Sequence, residues 1–278
     1  MNQPFVMAGV MGWPVSHSRS PLIHNHWIKT YGLHGSYGLF PVKPENLQQA
    51  LKGLGALGLA GCNITIPHKV DAMQYMDWVD PHAQRVGAIN TVVVQKDGAL
   101  HGFNTDGFGY LQSLKEISCN WRADSGPVVV LGAGGAARAI LVALIEQGAT
   151  EIRLLNRPLD KAQALAQEFG PAVHALPWSN RHEALADAAL LINTTSQGMQ
   201  GTAALELNLD DLPTTAMVSD IIYTPLSTPL LDQARQRGHT TVNGLGMLIH
   251  QARPAFKAWF GVMPEASSTL TDLLIASL

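Results

Sequence analysis

The chain has 278 residues, of which 46% are hydrophobic and 14% are charged, and its formal net charge is −3. A sequence this apolar can bury large cores, so intrinsic disorder is not expected, and its length suits two domains better than one. The small negative charge gives no reason to expect nucleic acid or an acidic membrane as a partner.

The cysteine content and the N-terminal residues bear on the compartment. Cys62 and Cys119 do not have the spacing of a metal-binding cysteine pair and do not suggest a disulfide framework. The first ten residues lack the basic stretch and long apolar stretch of a secretory signal. No apolar run reaches the roughly 18 residues that a membrane span needs. We therefore expect a cytoplasmic α/β protein.

The first part of the chain alternates short apolar runs with helix-like segments. Because strand, helix and strand follow one another, the strands are expected to pair in parallel through right-handed crossovers. The predicted strands span residues 6–11, 35–40 and 61–66, and the predicted helices span residues 21–31 and 44–54.

A second alternating pattern starts at Pro127. The predicted strands span residues 127–131, 151–155, 190–193 and 216–219. One predicted helix runs from the glycine-rich turn to about residue 147, and a second spans residues 159–169. The most loop-like stretch, 119–126, lies just before this pattern, which places a domain boundary near residues 105–120. The fold class predicted is α/β with two domains, each built on a mainly parallel sheet.

A glycine-rich turn follows the first strand of the second pattern. Gly132, Gly134 and Ala137 fit the pattern of dinucleotide-binding turns. There the first glycine allows a tight turn, the second lets the backbone approach a pyrophosphate, and the small third residue lets the helix pack closely. The helix start offers free N–H groups to phosphates. A plain strand-to-helix turn would show the same glycines, but the flanking elements favour dinucleotide binding.

The end of the next strand indicates which dinucleotide is bound. An NAD site usually carries Asp or Glu there, which binds the ribose 2′-hydroxyl. This chain has Asn156 and Arg157 instead, and a guanidinium suits a 2′-phosphate. Arg157 could also be an ordinary surface arginine. We expect NADP(H) as the cofactor.

A serine-rich segment follows the first predicted strand. Ser20 could be a helix N-cap with Pro21 as the first helical residue, which requires no ligand. Alternatively, Ser16, Ser18 and Ser20 could present their hydroxyls on one side of an extended loop, where they would suit a carboxylate or a polyol. The residues alone leave both interpretations open.

Two more polar clusters follow predicted strands, where open α/β sheets bind ligands. Asn63 and Thr65 are expected on one strand face, with Lys69 a few residues further on. Such a lysine is most often a solvated cation, but in a cleft it can exchange a proton with a hydroxyl under reduction. The third cluster, residues 104–107 preceded by 87–91, reads N-T-D-G and could equally form a turn and helix cap.

Eight longer motifs occur in a fixed order. They are S-H-S-R-S-P-L-I-H-N, N-I-T-I-P-H-K, G-A-I-N-T, N-T-D-G-F-G, G-A-G-G-A-A-R-A, N-T-T-S-Q-G-M, D-I-I-Y-T-P and G-L-G-M-L-I-H-Q-A. Together they resemble the shikimate dehydrogenase family over nearly the whole chain, from Gly12 to Gln251. Any one of them is a weak signal, whereas eight in order are highly specific.

The resemblance implies a fold and an activity. The activity is the reversible, NADPH-dependent reduction of 3-dehydroshikimate to shikimate in aromatic amino acid biosynthesis. The implied substrate domain spans residues 1–105 and is completed by residues 245–278. The implied NADP-binding domain, of the doubly wound Rossmann type, spans residues 106–244, and the active site is expected in the cleft between the two.

The resemblance also implies roles for individual residues. Lys69 and Asp106 resemble the family's catalytic pair, and which of them is the formal acid or base stays open. The implied substrate contacts are Ser18, Ser20, Thr65, Asn90, Tyr223 and Gln251. The implied cofactor contacts are Gly132, Ala133, Gly134, Gly135, Ala136, Asn156, Arg157, Thr194, Ser196, Met199, Gly244 and Met247.

Two positions depart from the family's pattern. Pro158 stands where Thr or Ser usually follows Asn-Arg, and it provides neither a hydroxyl nor a backbone N–H to a phosphate. The preference for NADP over NAD is therefore expected to be weaker than usual. Val70 stands where an acidic residue often follows the lysine.

Three alternatives differ in chemistry. A quinate or dual quinate/shikimate dehydrogenase often has Thr in place of one of the serines and an acid in the cofactor loop, and this chain has neither. A non-catalytic dinucleotide-binding regulator would not need both Lys69 and Asp106. A zinc site at His24 and His26 is not expected, because residues two apart on a helix point to different faces. Either a monomer or a homodimer fits the sequence.

Overall fold

The computed structural model describes residues 4–278 and divides into two compact units. The first unit contains the chain up to Asp106 together with Ile249–Ser277, and the second contains Gly107–Leu248 and the terminal Leu278. Within residues 4–278, no helix is both long and apolar enough to cross a membrane.

The first unit begins with the alternating strands and helices that the sequence predicts. Its first elements are β1 (Val6–Gly12), α1 (Ser20–Thr30), β2 (Gly35–Pro41), α2 (Leu47–Ala56) and β3 (Leu59–Ile64). Strand β1 pairs in parallel with both β2 and β3, as predicted. The helix predicted at residues 44–54 starts instead with a 3-10 turn at Pro44–Asn46, and α2 follows it.

The other half of this sheet was not predicted. Its elements are β4 (Trp78–Val79), α3 (Pro81–Val86), β5 (Thr91–Val94) and β6 (Leu100–Phe103). Strand β5 is antiparallel to both β3 and β6, and the strand order is β2-β1-β3-β5-β6-β4. The turn between β5 and β6 contains Asp97 and Gly98, with Gly98 at φ +89°. Three of the five strand pairs are parallel, so the sheet is mixed with a parallel majority.

Helix packing covers this sheet with apolar side chains. Leu47, Leu51 and Leu54 recur at helical spacing along α2 and are buried against Cys62 and Ile64 of β3. Full burial of one such leucine stabilises the fold by roughly 1.5–3 kcal/mol. Helices α8 (Gly244–Phe260) and α9 (Ser268–Ile275) end the chain, and the part of α8 from Ile249 onward belongs to the first unit.

The second unit is a parallel sheet with alternating helices. Its elements are α4 (Asp106–Ile117), β7 (Val128–Leu131), α5 (Gly135–Glu146), β8 (Ile152–Leu155), α6 (Leu159–Phe169), β9 (Val173–Leu176), β10 (Leu190–Asn193), β11 (Met217–Asp220), α7 (Pro229–Gln236) and β12 (Thr241–Val242). The four strands predicted in this region are confirmed. The strand order β12-β11-β10-β7-β8-β9, with parallel pairing throughout, is that of the doubly wound dinucleotide-binding fold.

This strand order fixes where a ligand can be bound in the second unit. The chain progresses in opposite directions from β7, toward β8 on one side and toward β10 on the other. Ligands of open parallel sheets bind at such a switch point, outside the carboxyl ends of the strands. The glycine-rich turn at Gly132 directly follows β7 and therefore lies at that point.

Candidate active site

The central pair of the candidate site is Lys69 and Asp106. The Nζ of Lys69 lies 2.5 Å from the Oδ2 of Asp106, and the side chains are 22% and 6% exposed. Lys69 follows β3 after a turn, and Asp106 is the first residue of α4. A hydrogen bond between a charged donor and a charged acceptor in a mostly buried setting is strong and fixes both groups.

The backbone ties the segment of Lys69 to the segment before β5. Ile89 N donates to the carbonyl of Lys69 at 2.8 Å, and Ile64 N donates to the carbonyl of Asn90 at 2.8 Å. Thr65 N donates to the carbonyl of Met11, at the end of β1, at 2.9 Å. The turn that carries Lys69 is thus held on both sides, which limits how far its ammonium group can move.

Asn90 is the hub of the site. Its Nδ2 lies 2.9 Å from Asp106 Oδ1, 2.9 Å from Thr105 Oγ1 and 3.3 Å from Gln251 Oε1. Its Oδ1 accepts a hydrogen bond from Thr105 N at 3.0 Å. Asn90 is 2% exposed, so these contacts replace water for a buried amide. The structure therefore brings together Lys69, Asp106, Asn90 and Gln251.

Two further asparagines support this hub. They lie in the polar clusters that the sequence indicates but are not among the implied substrate contacts. Asn63 Nδ2 donates to the carbonyl of Asn90 at 3.0 Å and lies 3.2 Å from Thr91 Oγ1. Asn104 Oδ1 accepts from Asp106 N at 3.0 Å at the start of α4. The turn-and-cap interpretation of N-T-D-G is therefore correct, and Asp106 takes part in the polar network as well.

The serine segment differs from both interpretations offered by the sequence. Ser20 is the first residue of α1 rather than its N-cap, and Arg19, which precedes the helix, has a helical backbone and makes no side-chain cap. The loop is not extended, because Ser18 N bonds the carbonyl of Val15 at 3.0 Å and closes a turn. Ser16 is therefore exposed, Ser18 is half-buried and Ser20 is buried.

The other implied substrate contacts lie at the start of α1, after β3 and after β11. Ser18 Oγ accepts from Ser20 N at 3.3 Å, so these two serines contact each other. Thr65 follows β3 directly and is half-buried against Gly12, where a β-carbon would lie 2.4 Å from its methyl group. Tyr223 belongs to the second unit and follows β11.

The glycine turn has the shape that a pyrophosphate requires. Gly132 has φ +104°, and a β-carbon there would lie 2.6 Å from the hydroxyl oxygen of Thr194. At Gly134 and Gly135, by contrast, a β-carbon would meet no atom within 4 Å. Open space therefore lies over the start of α5, whose first N–H groups have no partner within the helix. These residues, with Ala133 and Ala136 between and after them, fit a dinucleotide.

The turn after β8 carries the two residues that are predicted to distinguish NADP from NAD. Asn156 Nδ2 donates to the carbonyl of Pro158 at 2.8 Å, which fixes the turn. Arg157 is exposed, and so is Lys161 in the first turn of α6. A lysine is unfavourable near the positive end of a helix dipole. Lys161 follows Arg157 by four positions in the sequence, and two exposed cations there suit an anionic ligand. The sequence analysis did not single out Lys161.

The other cofactor candidates surround the switch point and the start of α8. Thr194 Oγ1 donates to the carbonyl of Leu131 at 2.7 Å, which joins the ends of β10 and β7. Ser196 and Met199 are exposed in the loop that follows. Gly244 N donates to the carbonyl of Ile222 at 2.9 Å, and Met247, one turn into α8, is half-buried.

A buried carboxylate that sequence reasoning did not identify shapes the loop of Tyr223. Asp220 is fully buried and accepts from Thr228 Oγ1 at 2.8 Å, from Ile222 N at 3.1 Å and from Asn193 Nδ2 at 3.2 Å. Burial raises the pKa of Asp220, and these hydrogen bonds offset part of the increase. This network holds the segment that precedes Tyr223 and links it to the end of β10.

The two histidines considered for zinc are separated by the helix. His24 is buried among aromatic rings, whereas His26 is half-buried and lies 3.4 Å from Thr30 Oγ1. Across residues 4–278, no group of three or more His, Cys, Asp or Glu side chains could hold a metal ion.

The doubly wound sheet with its glycine turn, and the lysine–aspartate pair, are features of dehydrogenases that use a nicotinamide dinucleotide. Three family models match the chain. They are described as the shikimate dehydrogenase substrate binding domain at residues 10–92, shikimate / quinate 5-dehydrogenase at residues 115–206, and the shikimate 5′-dehydrogenase C-terminal domain at residues 244–269.

Individual relatives agree with the family models. The NADP⁺ shikimate dehydrogenase of Rhodospirillum rubrum is 50% identical over 268 residues, 95% of each chain. The Thermus thermophilus shikimate 5-dehydrogenase structure with NADP(H) and shikimate has a TM-score of 0.88 and 38% identity, and the match covers 98% of this chain and all of that one. The Corynebacterium glutamicum quinate dehydrogenase structure with NAD has a TM-score of 0.91 but 28% identity, over 98% and 100% of the two chains. The chain belongs to the shikimate dehydrogenase family.

Proposed function

We propose that this protein catalyses the reversible, NADPH-dependent reduction of 3-dehydroshikimate to shikimate. The observation that carries the proposal is the contact of 2.5 Å between Lys69 and Asp106, held by the buried Asn90. Relatives at high identity over nearly the full length carry the name of this activity and of this cofactor.

Lys69 is proposed to manage the proton of the reacting oxygen. When bound, NADPH supplies a hydride for the carbonyl carbon at C3. The carbonyl oxygen then develops negative charge and needs a proton, which the ammonium of Lys69 donates while it also stabilises that charge. In the direction of shikimate oxidation the same Nζ must accept a proton, so a neutral amine has to be reached.

Asp106 is proposed to orient Lys69 and to bind a neighbouring hydroxyl of the substrate. Its Oδ2 accepts from Lys69 and its Oδ1 accepts from Asn90, so both oxygens have fixed directions. Each oxygen retains a further lone pair for a hydroxyl donor.

The substrate is proposed to bind to the first unit, whose candidate contacts carry polar groups. Serine and threonine hydroxyls suit a carboxylate and ring hydroxyls because each can donate and accept. The proposed substrate contacts are Ser18, Ser20, Thr65, Asn90, Gln251 and, from the second unit, Tyr223. The predicted location of the active site in a cleft between the domains stays a prediction.

The cofactor is proposed to bind to the second unit. The open space at Gly134 and Gly135 and the N-terminus of α5 suit the pyrophosphate, and Arg157 with Lys161 suits a 2′-phosphate. Pro158 offers this phosphate neither a hydroxyl nor an N–H. A preference for NADP over NAD is therefore proposed, but a moderate one.

Quinate is the competing substrate, and the structural similarity of a quinate dehydrogenase shows that the fold does not exclude it. Ser18 and Ser20 favour shikimate, since quinate users often carry Thr at one such position, and Arg157 favours NADP. A regulator without activity is disfavoured by the intact Lys69–Asp106 pair. A cytoplasmic monomer or homodimer in aromatic amino acid biosynthesis completes the proposal.

The test is a set of steady-state rates with shikimate and quinate, each with NADP⁺ and NAD⁺. The variant Lys69→Ala is compared with Lys96→Ala, which removes an exposed lysine from the β5–β6 turn. We expect turnover of shikimate with NADP⁺ to fall at least ~100-fold in Lys69→Ala, as when acid–base catalysis is removed, and to persist in Lys96→Ala.

Each of the other outcomes assigns a different function. Comparable rates with quinate would make the protein a dual dehydrogenase. Full activity of Lys69→Ala would remove Lys69 from the mechanism. Nucleotide binding without turnover of any mixture would favour the regulator.

A further inference from the structure

Tyr37, in the middle of β2, connects to the candidate site although it is remote from it in sequence. Its side chain is 2% exposed, and its hydroxyl donates a hydrogen bond to Asn63 Oδ1 at 2.6 Å. Both partners are buried, so water does not compete for the bond. Asn63 Oδ1 accepts from Tyr37, and the carbonyl of Asn90 on the other side can only accept, so the two bonds together fix the amide with Nδ2 toward Asn90.

That orientation determines what Asn63 does next. Its Nδ2 donates to the carbonyl of Asn90 at 3.0 Å and lies 3.2 Å from Thr91 Oγ1. Thr91 Oγ1 in turn lies 2.9 Å from Asn90 Oδ1. Asn63 thereby fixes the main chain of Asn90 directly and its side chain through Thr91. Asn90 Nδ2 then holds Asp106 Oδ1 at 2.9 Å.

The hydroxyl of Tyr37 is a stable donor for this bond. Burial raises the pKa of Tyr37 well above its ordinary value, so the phenol keeps the proton that it donates to Asn63 Oδ1.

The ring of Tyr37 is held rigidly in place. His24 stacks on it with ring centres 4.0 Å apart and planes 3° apart, and the ring of Trp259 lies at 6.0 Å. Asn25 binds its main chain on both sides, accepting from Tyr37 N at 3.0 Å and donating to its carbonyl at 2.9 Å. The hydroxyl therefore has a fixed position from which it can orient Asn63.

We infer that Tyr37 is a positioning residue that orders Asn90 through Asn63, and Asp106 through Asn90. The inference rests on the proposed function. Tyr37 acts through Asn63 and does not contact the reacting atoms. Its effect is expected on the steps that involve the substrate, because the cofactor candidates lie in the second unit.

The test begins with Tyr37→Phe, which removes one oxygen and leaves the aromatic packing. Asn63 Oδ1 then loses its donor inside a buried network. The loss of one such bond, about 1.4 kcal/mol, corresponds to roughly a ten-fold change in a rate or an equilibrium constant. We expect kcat with shikimate to fall by about this factor and KM for shikimate to rise, while KM for NADP⁺ stays unchanged.

The matched control is Tyr110→Phe. Tyr110 is also fully buried, and its hydroxyl has no hydrogen-bond partner among the described residues. Its removal should leave both kinetic constants unchanged, which separates the loss of a hydroxyl from the loss of this particular bond. Rates are compared at a temperature where circular dichroism shows every variant to be folded.

A double-mutant cycle tests the route through Asn63. If Tyr37 acts through Asn63, the variant carrying both Tyr37→Phe and Asn63→Ala loses no more kcat than Asn63→Ala alone. Additive losses would overturn the inference. If Tyr37→Phe does not fold, Asn63→Ala, which keeps the aromatic cluster, decides the question, and an unchanged kcat in it overturns the inference.

A readout that needs no activity separates this inference from the proposed function. The side-chain amide resonances of Asn63 and Asn90, recorded on the full chain by NMR, should shift in Tyr37→Phe and stay in place in Tyr110→Phe. A wild-type protein that does not oxidise shikimate would refute the proposed function, whereas unshifted resonances would refute the role of Tyr37 whatever the activity.

Discussion

The Nζ of Lys69 and the Oδ2 of Asp106 lie 2.5 Å apart although 37 residues separate them in the sequence. One follows a strand and the other begins a helix, so the contact exists only when the first sheet is complete. Among the strands between them, β5 and β6 form the hairpin that returns the chain to the same edge. The proposed chemistry therefore depends on the antiparallel part of this sheet.

Replacing Asp106 with Asn should abolish most of the activity while keeping the fold. The amide is the same size but has only one acceptor oxygen, so it cannot accept from Lys69 and Asn90 on separate oxygens as the carboxylate does. Lys69 also loses its counter-charge. We expect kcat to fall at least ~100-fold with little change in KM for NADP⁺, measured by steady-state kinetics. Asp272→Asn, an exposed change on α9, serves as the control and should keep full activity. Activity within a factor of three of wild type would contradict the role of Asp106.

Two alanine substitutions in the glycine turn should affect different properties, one the stability of the fold and the other the affinity for NADPH. In Gly132→Ala the new methyl meets Thr194 at φ +104°, so we expect unfolding to become easier by roughly 1–3 kcal/mol. In Gly134→Ala the methyl enters open space, so stability should hold while NADPH binding weakens. Thermal unfolding and NADPH titration by fluorescence separate the two. Undiminished NADPH affinity in Gly134→Ala would show that the pyrophosphate does not lie over this turn.

Pro158→Thr should strengthen the preference for NADP. The new residue adds a hydroxyl and an N–H close to Arg157 and is also a favourable residue at the start of α6. We expect the ratio of kcat/KM with NADP⁺ to that with NAD⁺ to rise on the order of ten-fold, as for a hydrogen bond to a charged group. Pro158→Ala, which restores the N–H without the hydroxyl, should give a smaller rise. An unchanged ratio in both variants would mean that the phosphate lies elsewhere.

His24 should make the fold sensitive to acid. Burial lowers the pKa of His24 from 6.5 to about 3, so between these values the unfolded chain binds a proton that the folded chain refuses. Above pH 6.5 His24 is neutral in both states and costs no stability. As the pH falls from 6.5 toward 3, the free energy of unfolding decreases by up to about 1.4 kcal/mol per pH unit. The free energy of unfolding, measured with urea at several pH values in this range, should depend less steeply on pH in His24→Leu than in wild type.

Phe256→Leu is the matched control for this measurement, because it shortens another ring of the same cluster. It should lower the free energy of unfolding equally at every pH, so that the dependence of this free energy on pH stays as in wild type. Equal slopes for wild type and His24→Leu would contradict the assignment of the acid sensitivity to His24.

The sequence was informative wherever a structure depends on neighbouring residues. The apolar run before Gly132 predicts β7 and the start of α5, because a strand and a helix cap each depend on a few adjacent side chains. The hairpin of β5 and β6 also had a local signal, the Asp97–Gly98 turn between alternating apolar residues, which was not used. The antiparallel part of this sheet was missed for that reason, whereas the prediction of a mainly parallel sheet is confirmed.

Contacts across long separations were not predictable from residue patterns. Asn90 meets Gln251 across 161 positions, and only the resemblance to a family pointed to both. The bond between Tyr37 and Asn63 spans 26 positions and had no signal in either segment. The N-cap interpretation of Ser20 failed for a local reason, because Ser18 closes a turn with Val15 just before the helix.

The most direct test of the proposed function follows the hydride itself. The protein is incubated with 3-dehydroshikimate and NADPH that carries deuterium at both positions of nicotinamide C4, and the product is analysed by mass spectrometry and NMR. The proposed function predicts shikimate with a single deuterium at C3, formed at least ~100-fold more slowly by Lys69→Ala than by wild type. Shikimate without deuterium, or no shikimate at all despite bound NADPH, would contradict it.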